Sequence, residues 1–223
     1  MNENLEAEIN LDQLKNNFLQ YTRRAFNTLP QLKKPHILDI GCGSGFPTIE
    51  LAKLSDGEII GIDIDQSLLN KLNNKIEKQG LSNRIKTIKC SAFEIDFSNE
   101  SFDIIWAEGM QFLGFEKRLK EWKKFLKLNG YLVLHDGIKN VPSKLKSIPK
   151  CGYKLIEYFT LPEDVWWTDY YYPLENRLKN LRTKINNDSE DSKAIKKLRD
   201  EVNFVKKNPK AARSLFYIMQ KQR

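Results

Sequence analysis

The stretch His36-Ile-Leu-Asp-Ile-Gly-Cys-Gly-Ser-Gly45 decides the reading of this chain. Ile37, Leu38 and Ile40 make a short apolar strand, glycines follow at alternate positions 41, 43 and 45, and Pro47 suits the first turn of a helix through Thr48–Leu54. A backbone that must turn this tightly and come within contact distance of a ligand has no room for a Cβ. The helix start beyond it offers free N–H groups to a carboxylate or a phosphate.

Two acids flank the loop. Asp39 lies two residues before Gly41, where its carboxylate can accept hydrogen bonds from an amine and balance a cation. Asp63 closes the next strand, Glu58–Asp63, about twenty residues past the glycines, where a carboxylate can take both hydroxyls of a ribose. An amino-acid sulfonium carries both a carboxylate and positive charge; a dinucleotide does not. The glycine spacing points the same way: the dinucleotide fingerprint is GxGxxG, whereas this loop is GxGxG with Phe46 in the next position.

Outward from the loop, strands and helices alternate. Ser67–Gln79 reads as a helix begun by a Ser cap and ended by Gly80, Ile85–Cys90 and Phe102–Ala107 as strands, Phe115–Leu126 as a helix, and Tyr131–Leu134 as a fifth strand. Tyr153–Thr160 and Ser214–Gln220 complete seven strands. The expected fold class is α/β, a doubly wound seven-stranded sheet with a helical insertion between strands six and seven, its ligand beyond the carboxyl ends of the strands. Leu11, Leu14, Phe18, Tyr21, Ala25 and Phe26 predict one amphipathic helix over residues 10–29. The expected organisation is a capping helix in 1–35, a core in 36–162, an aromatic and helical lid in 163–212 with a polar turn at Asn186–Ser192, and a last core strand in 213–223.

At this level the sequence resembles a known family. Leu38-Asp-Ile-Gly-Cys-Gly-Ser-Gly45 resembles the first motif of class I S-adenosylmethionine methyltransferases, which are Rossmann-like, and Gly61-Ile-Asp-Ile-Asp65 their acidic second motif. Ser101-Phe-Asp-Ile-Ile-Trp-Ala-Glu-Gly109 resembles the fourth-strand motif, and Leu126-Lys-Leu-Asn-Gly-Tyr-Leu-Val-Leu134 the fifth-strand turn. The nearest subgroup is the small-molecule enzymes related to quinone and sterol methyltransferases. The resemblance implies S-adenosylmethionine as cofactor, with Gly41, Gly43 and Gly45 lining its methionine part and Asp39 beneath it. It also implies Asp63 on the ribose, Ile64 against the adenine, and Ser91-Ala92-Phe93 at the adenine amino group, where the family usually has an acid first. The subgroup's Gly/Pro-rich loop is missing before Tyr21-Thr-Arg-Arg24.

Methyl transfer from a sulfonium needs alignment, a dry pocket and, for some acceptors, a base. Glu108 follows strand four and His135 strand five at the cofactor edge, so these are the candidate catalytic residues, with Glu108 also placed to serve the cofactor; His135 is the natural base by its ordinary titration range. Asp164-Val-Trp-Trp-Thr-Asp-Tyr-Tyr-Tyr172 is dense in aromatics, which either fill a core or cap a pocket. Tyr21, Trp166, Trp167 and Tyr170 are the expected acceptor contacts, closing over an apolar or cationic small molecule. No N/D-P-P-Y/F motif follows strand four and no Pro-Cys pair is present, which argues against the amino-methylating and cytosine C5 enzymes of nucleic acids.

Composition bounds the rest. The chain has 223 residues, an ordinary globular mix, no apolar run near the ~18–20 residues of a membrane span, and an acidic, polar start unlike a secretory signal. Three cysteines without CxxC spacing suggest reduced thiols in a cytoplasmic protein, neither disulfides nor a metal site. The net charge is +8, and it falls as +1, −1 and +8 over residues 1–35, 36–140 and 141–223. A basic last third leaves open an alternative reading, an RNA or protein methyltransferase that docks through it. A cofactor-binding regulator without turnover is the third reading.

Overall fold

The computed structural model describes residues 3–110, 113–181 and 190–223. Its N-terminal part holds α1 (Glu3–Ile9), α2 (Leu11–Asn16) and α3 (Leu19–Asn27). Among the described residues, seven strands form one sheet: β1 (His36–Ile40), β2 (Glu58–Asp63), β3 (Ile85–Lys89), β4 (Phe102–Glu108), β5 (Leu126–Gly137), β6 (Tyr153–Thr160) and β7 (Ser214–Lys221). The spatial order is β3-β2-β1-β4-β5-β7-β6. The first five strands are parallel, and β7 is antiparallel to both β5 and β6, so β6 runs in the direction of β5. The order reverses between β1 and β4. That switch point opens a crevice at the carboxyl ends, where open α/β sheets take their ligands. The expected α/β fold is therefore the observed one.

Between the strands run α4 (Phe46–Leu54), α5 (Gln66–Lys78), α6 (Phe115–Lys123) and α7 (Val141–Lys150). They cover a sheet whose central strands are apolar on both faces: Ile37, Leu38 and Ile40 of β1 and Ile105, Trp106 and Ala107 of β4 are completely buried. α5 is capped by Asp65, whose carboxylate accepts from the Ser67 N–H at 2.8 Å, so the cap lies two residues before the Ser that the sequence suggested. α7 was not anticipated. Its start is marked by Asn140 in the left-handed region and Pro142 in the first turn.

The chain divides into two compact units. One consists of Leu19–Thr160 and Ser214–Arg223 and contains the whole sheet. The other consists of Met1–Phe18 and Leu161–Arg213. The division corrects the expectation of one helix over 10–29. Asn17 caps α2 through its N–H to the Leu14 carbonyl, Phe18 stays with the first segment, and α3 begins afresh at Leu19 in the sheet unit.

The second unit contains a π-helical turn (Trp167–Tyr171), α8 (Tyr172–Asn180) and α9 (Glu190–Lys207). Its centre is aromatic. Phe18 lies 4.3 Å from Trp166 and Tyr170 lies 5.0 Å from Tyr171, centroid to centroid. The Arg177 guanidinium of α8 donates to the carbonyls of Ile9 and Asn10 and to Gln13 Oε1, all at 2.7–2.8 Å, which fastens α1 and α2 to α8. Of the polar turn expected at Asn186–Ser192, positions up to Ser189 lie outside the described residues, and the rest begins α9. No helix among the described residues is long and apolar enough to cross a membrane.

Candidate active site

The glycine loop joins β1 to α4 at the switch point. The N–H groups of Gly41 and Cys42 donate to the Ile62 carbonyl at 2.8 and 3.0 Å, tying the loop to β2. From α5, the Lys75 ammonium donates to the Ser44 carbonyl at 2.8 Å. Two of the glycines have separable reasons to be there. Gly45 has φ +87°, and a Cβ on it would overlap Leu72, so its absence lets α5 lie against the loop. Gly43 has φ +53°, and a Cβ there would meet nothing closer than Leu68 Cδ1 at 4.0 Å. That open side leaves room for a ligand to come close to the backbone. Gly41 instead lies against the Met110 side chain.

Around this loop three acids gather. Asp39 is buried at the end of β1 and accepts from Thr48 Oγ1 at 2.6 Å. Loss of hydration pushes its carboxyl up to about 7, and the charges of Glu108 and Asp63 push in the same direction. Asp63 ends β2. One of its oxygens accepts from the Gly43 N–H and the other from the Asp65 N–H, both at 2.9 Å, so it shapes the loop as well as facing the crevice. Burial likewise raises Glu108 to about 7, with bonds from Trp106 and Thr22 opposing the rise. Asp39, raised by burial and by the charges of two acidic neighbours, marks an edge suited to a cation.

Beyond the acids, Ile64 after β2 and Phe93 after β3 are exposed, 67% and 48%, although both are large and apolar. Ser91 Oγ accepts from the Phe93 N–H at 3.3 Å, and the Ala92 carbonyl accepts from Trp122 Nε1 at 3.1 Å. The exposed pair suits a flat ligand such as a purine, which would cover apolar surface at roughly 25 cal/mol per Å².

Glu108 ends β4, His135 lies two residues before the end of β5, and the two are register partners in the β4–β5 ladder. Glu108 Oε1 accepts from Trp106 Nε1 at 2.8 Å and from Thr22 Oγ1 at 2.9 Å. Its other oxygen, Oε2, lies 3.8 Å from His135 Nδ1. The far nitrogen of that ring, Nε2, bonds Ser214 Oγ at 2.8 Å, and the ring stacks on Phe216 at 4.5 Å. Burial lowers His135 to about 4, against a small opposing pull from Asp136.

Reading the sequence missed Thr22, Trp106 and Ser214 as partners of this pair. A signal existed for Trp106, since residues two apart on a strand share a face. None existed for Thr22 or Ser214, which only the fold brings near. Of the expected acceptor contacts, Tyr21 is half-buried on α3 of the sheet unit, and Trp166, Trp167 and Tyr170 belong to the other unit. There Trp166 packs on Phe18, and the Lys206 ammonium lies 5.7 Å over the Trp167 ring. No group of His, Cys, Asp and Glu suited to a metal ion occurs among the described residues.

Residues 32–178, more than half of the chain, match the family described as a methyltransferase domain. The chain belongs to that family. Similar curated proteins include demethylmenaquinone methyltransferase of Bacteroides fragilis, 31% identical over 117 residues, 51% of this chain and 48% of the relative. Another is 27-O-demethylrifamycin SV methyltransferase of Amycolatopsis mediterranei, 33% identical over 39% of this chain and 32% of the relative. The chain thus spans less than half the length of these curated relatives. Among solved structures, a SAM-dependent methyltransferase from Thiobacillus denitrificans in complex with S-adenosyl-L-homocysteine superposes with TM-score 0.71 at 18% identity, covering 90% of this chain and 89% of that one. The [4+2]-cyclase SpnF superposes with TM-score 0.76 at 16% identity, covering 91% and 80%. These likenesses establish the fold, and the cyclase is a reminder that the fold alone does not name a reaction.

Proposed function

We propose that this chain binds S-adenosylmethionine and transfers its methyl group in line to a small-molecule acceptor. The observation that carries the reading is the gathering of Asp39, Asp63 and Glu108 at the carboxyl ends of β1, β2 and β4, next to a glycine loop whose Gly43 is open on one side, an arrangement suited to a cationic amino acid. The family and the cofactor-bound relative support the same reading. In it Gly41, Gly43 and Gly45 receive the methionine part, Asp39 balances its charge, Asp63 takes the ribose, and Ile64 and Ser91-Ala92-Phe93 take the adenine. When bound, the cofactor supplies an electrophilic methyl with a good leaving group. The chain's own residues then align the acceptor, exclude water and hold a proton; Glu108 is the group suited to the last, and His135, which burial keeps uncharged near neutral pH, is its neighbour and not the base that its ordinary titration range suggested. Tyr21, Trp166, Trp167 and Tyr170 belong to the proposal as acceptor contacts, and a cytoplasmic setting, which keeps Cys42, Cys90 and Cys151 reduced, belongs to it too.

The test is transfer of radiolabelled methyl from S-adenosylmethionine to a low-molecular-weight extract, with bulk RNA and bulk protein as parallel acceptors. Label in a small organic product supports the proposal. Label in RNA or protein alone, bound with a steep salt dependence, would replace it with a macromolecular acceptor.

A further inference from the structure

Ile64 after β2 and Phe93 after β3 both stand open to solvent, so the apolar surface on which a bound base would rest is accessible. The polar groups around Phe93 come from two places. Ser91 lies in the same loop, and its Oγ accepts from the Phe93 N–H at 3.3 Å. Lys117 lies on α6, is exposed, and holds its ammonium 4.0 Å from the centre of the Phe93 ring. The Ala92 carbonyl accepts from the indole of buried Trp122, so it points toward the core. Glu94 is the next acid along the loop; it is exposed, and its charge acts on Cys90.

These groups differ in how they read a purine. A 6-amino group donates a hydrogen bond, and a 6-oxo group accepts one. An ammonium has three donors and no acceptor, so it favours the oxo form. A hydroxyl has one proton and two lone pairs. With one lone pair on the Phe93 N–H, Ser91 keeps its proton and a second lone pair, and can meet either form. A carboxylate in either place would only accept, and would favour the amino form.

We propose that Ser91 and Lys117 set the base selectivity of the cofactor site, and that the site takes a 6-oxo purine nucleoside thioether about as well as the adenosyl form. This rests on the methyl-transfer reading, in which the base lies on Ile64 and Phe93. With the amino form, the Lys117 ammonium stays over the Phe93 face, held there by the ring's attraction for a cation. With the oxo form, its flexible stem lets the ammonium reach the carbonyl. The Ser91 hydroxyl accepts from the one and donates to the other, so neither base leaves it unmatched.

The test is calorimetric titration of the full-length chain with S-adenosylhomocysteine and, separately, with S-inosylhomocysteine, in which an oxygen replaces the amino group. The wild type should bind the two with dissociation constants within about threefold of each other. Lys117→Met should weaken the inosyl ligand by about fivefold or more and the adenosyl ligand by less than about twofold. Ser91→Asp should weaken the inosyl ligand by about tenfold or more and leave the adenosyl ligand no weaker. Lys117→Glu, at an exposed position, places a carboxylate beside the same ring and should shift the preference the same way, which keeps the test intact if Ser91→Asp does not fold. A wild type that favours the adenosyl ligand by more than about tenfold overturns the proposal; if Glu94→Gln removes that preference, Glu94 is the group that reads the base. Equal binding that none of the Ser91 and Lys117 variants alters overturns it as well. A wild type that binds neither ligand refutes the cofactor reading itself, whereas adenosyl binding with rejection of the inosyl ligand refutes only this inference.

Discussion

Glu108 at the end of β4 and His135 near the end of β5 are register neighbours, with Oε2 and Nδ1 3.8 Å apart, and burial pushes both toward their uncharged forms. Glu108 rises from an ordinary 4.5 to about 7, and His135 falls from 6.5 to about 4. The pair is thus cheapest to bury when neither member is charged.

A pH dependence of stability follows. A carboxyl raised in the folded state stabilises fully below 4.5, and its contribution is lost as pH climbs through 7. Glu108→Gln, which keeps an oxygen for Trp106 and Thr22, should therefore gain on wild type between pH 5 and pH 8 by about 1–3 kcal/mol. His135 has the opposite sign: its contribution is present above 6.5 and is lost as pH falls through 4. Urea denaturation of the two proteins at both pH values measures the difference, and a gap that does not change with pH contradicts the account.

The two glycines separate stability from binding. Gly45→Ala adds a methyl against Leu72 at a left-handed position and should cost about 2–4 kcal/mol. Gly43→Ala meets open space and should cost only about 1 kcal/mol of conformational strain while weakening S-adenosylmethionine binding. Thermal melts with and without cofactor check both. Equal destabilisation with unchanged affinity in both variants would mean that the open face of Gly43 is not the ligand face.

Arg118 of α6 and Asp136 of β5 form a buried pair at 2.6 Å, with Lys144 also on Asp136 at 3.1 Å. Arg118 Nε and Nη1 and the Tyr217 hydroxyl have no hydrogen-bond partner among the described residues. Such a pair is a poor source of stability but costly to break. Arg118→Met should destabilise by about 2–4 kcal/mol, and adding Asp136→Asn should recover most of it. A double variant worse than the single, in chemical denaturation, would contradict this.

How much of this was legible follows from the physics of each part. β1, β2 and β6 were readable to the residue because short apolar runs between turn residues have one interpretation. The β1–α4 loop was readable because glycines at fixed spacing record a backbone demand. The break at Asn17–Phe18 was not, since the apolar spacing continues through it. Only the division of the chain, with Phe18 beside Trp166 in one unit and Leu19 in the other, explains it. At the site, Asp39, Asp63 and Glu108 were named from strand ends. The Ser214–His135 bond spans 79 residues, and the direction in which burial moves His135 depends on its surroundings, which no local pattern encodes.

The most direct test is a calorimetric titration of S-adenosylmethionine into the intact chain and into Asp63→Ala. Asp63 both faces the crevice and holds the Gly43 N–H, so its removal strikes the ribose contact and the loop together. The account predicts one-to-one binding by the wild type and a loss of at least about tenfold in the variant, from charge-assisted bonds of about 1.5–3 kcal/mol, with the fold intact by circular dichroism. A wild type that takes up no S-adenosylmethionine, or a folded variant that binds it equally well, would contradict it.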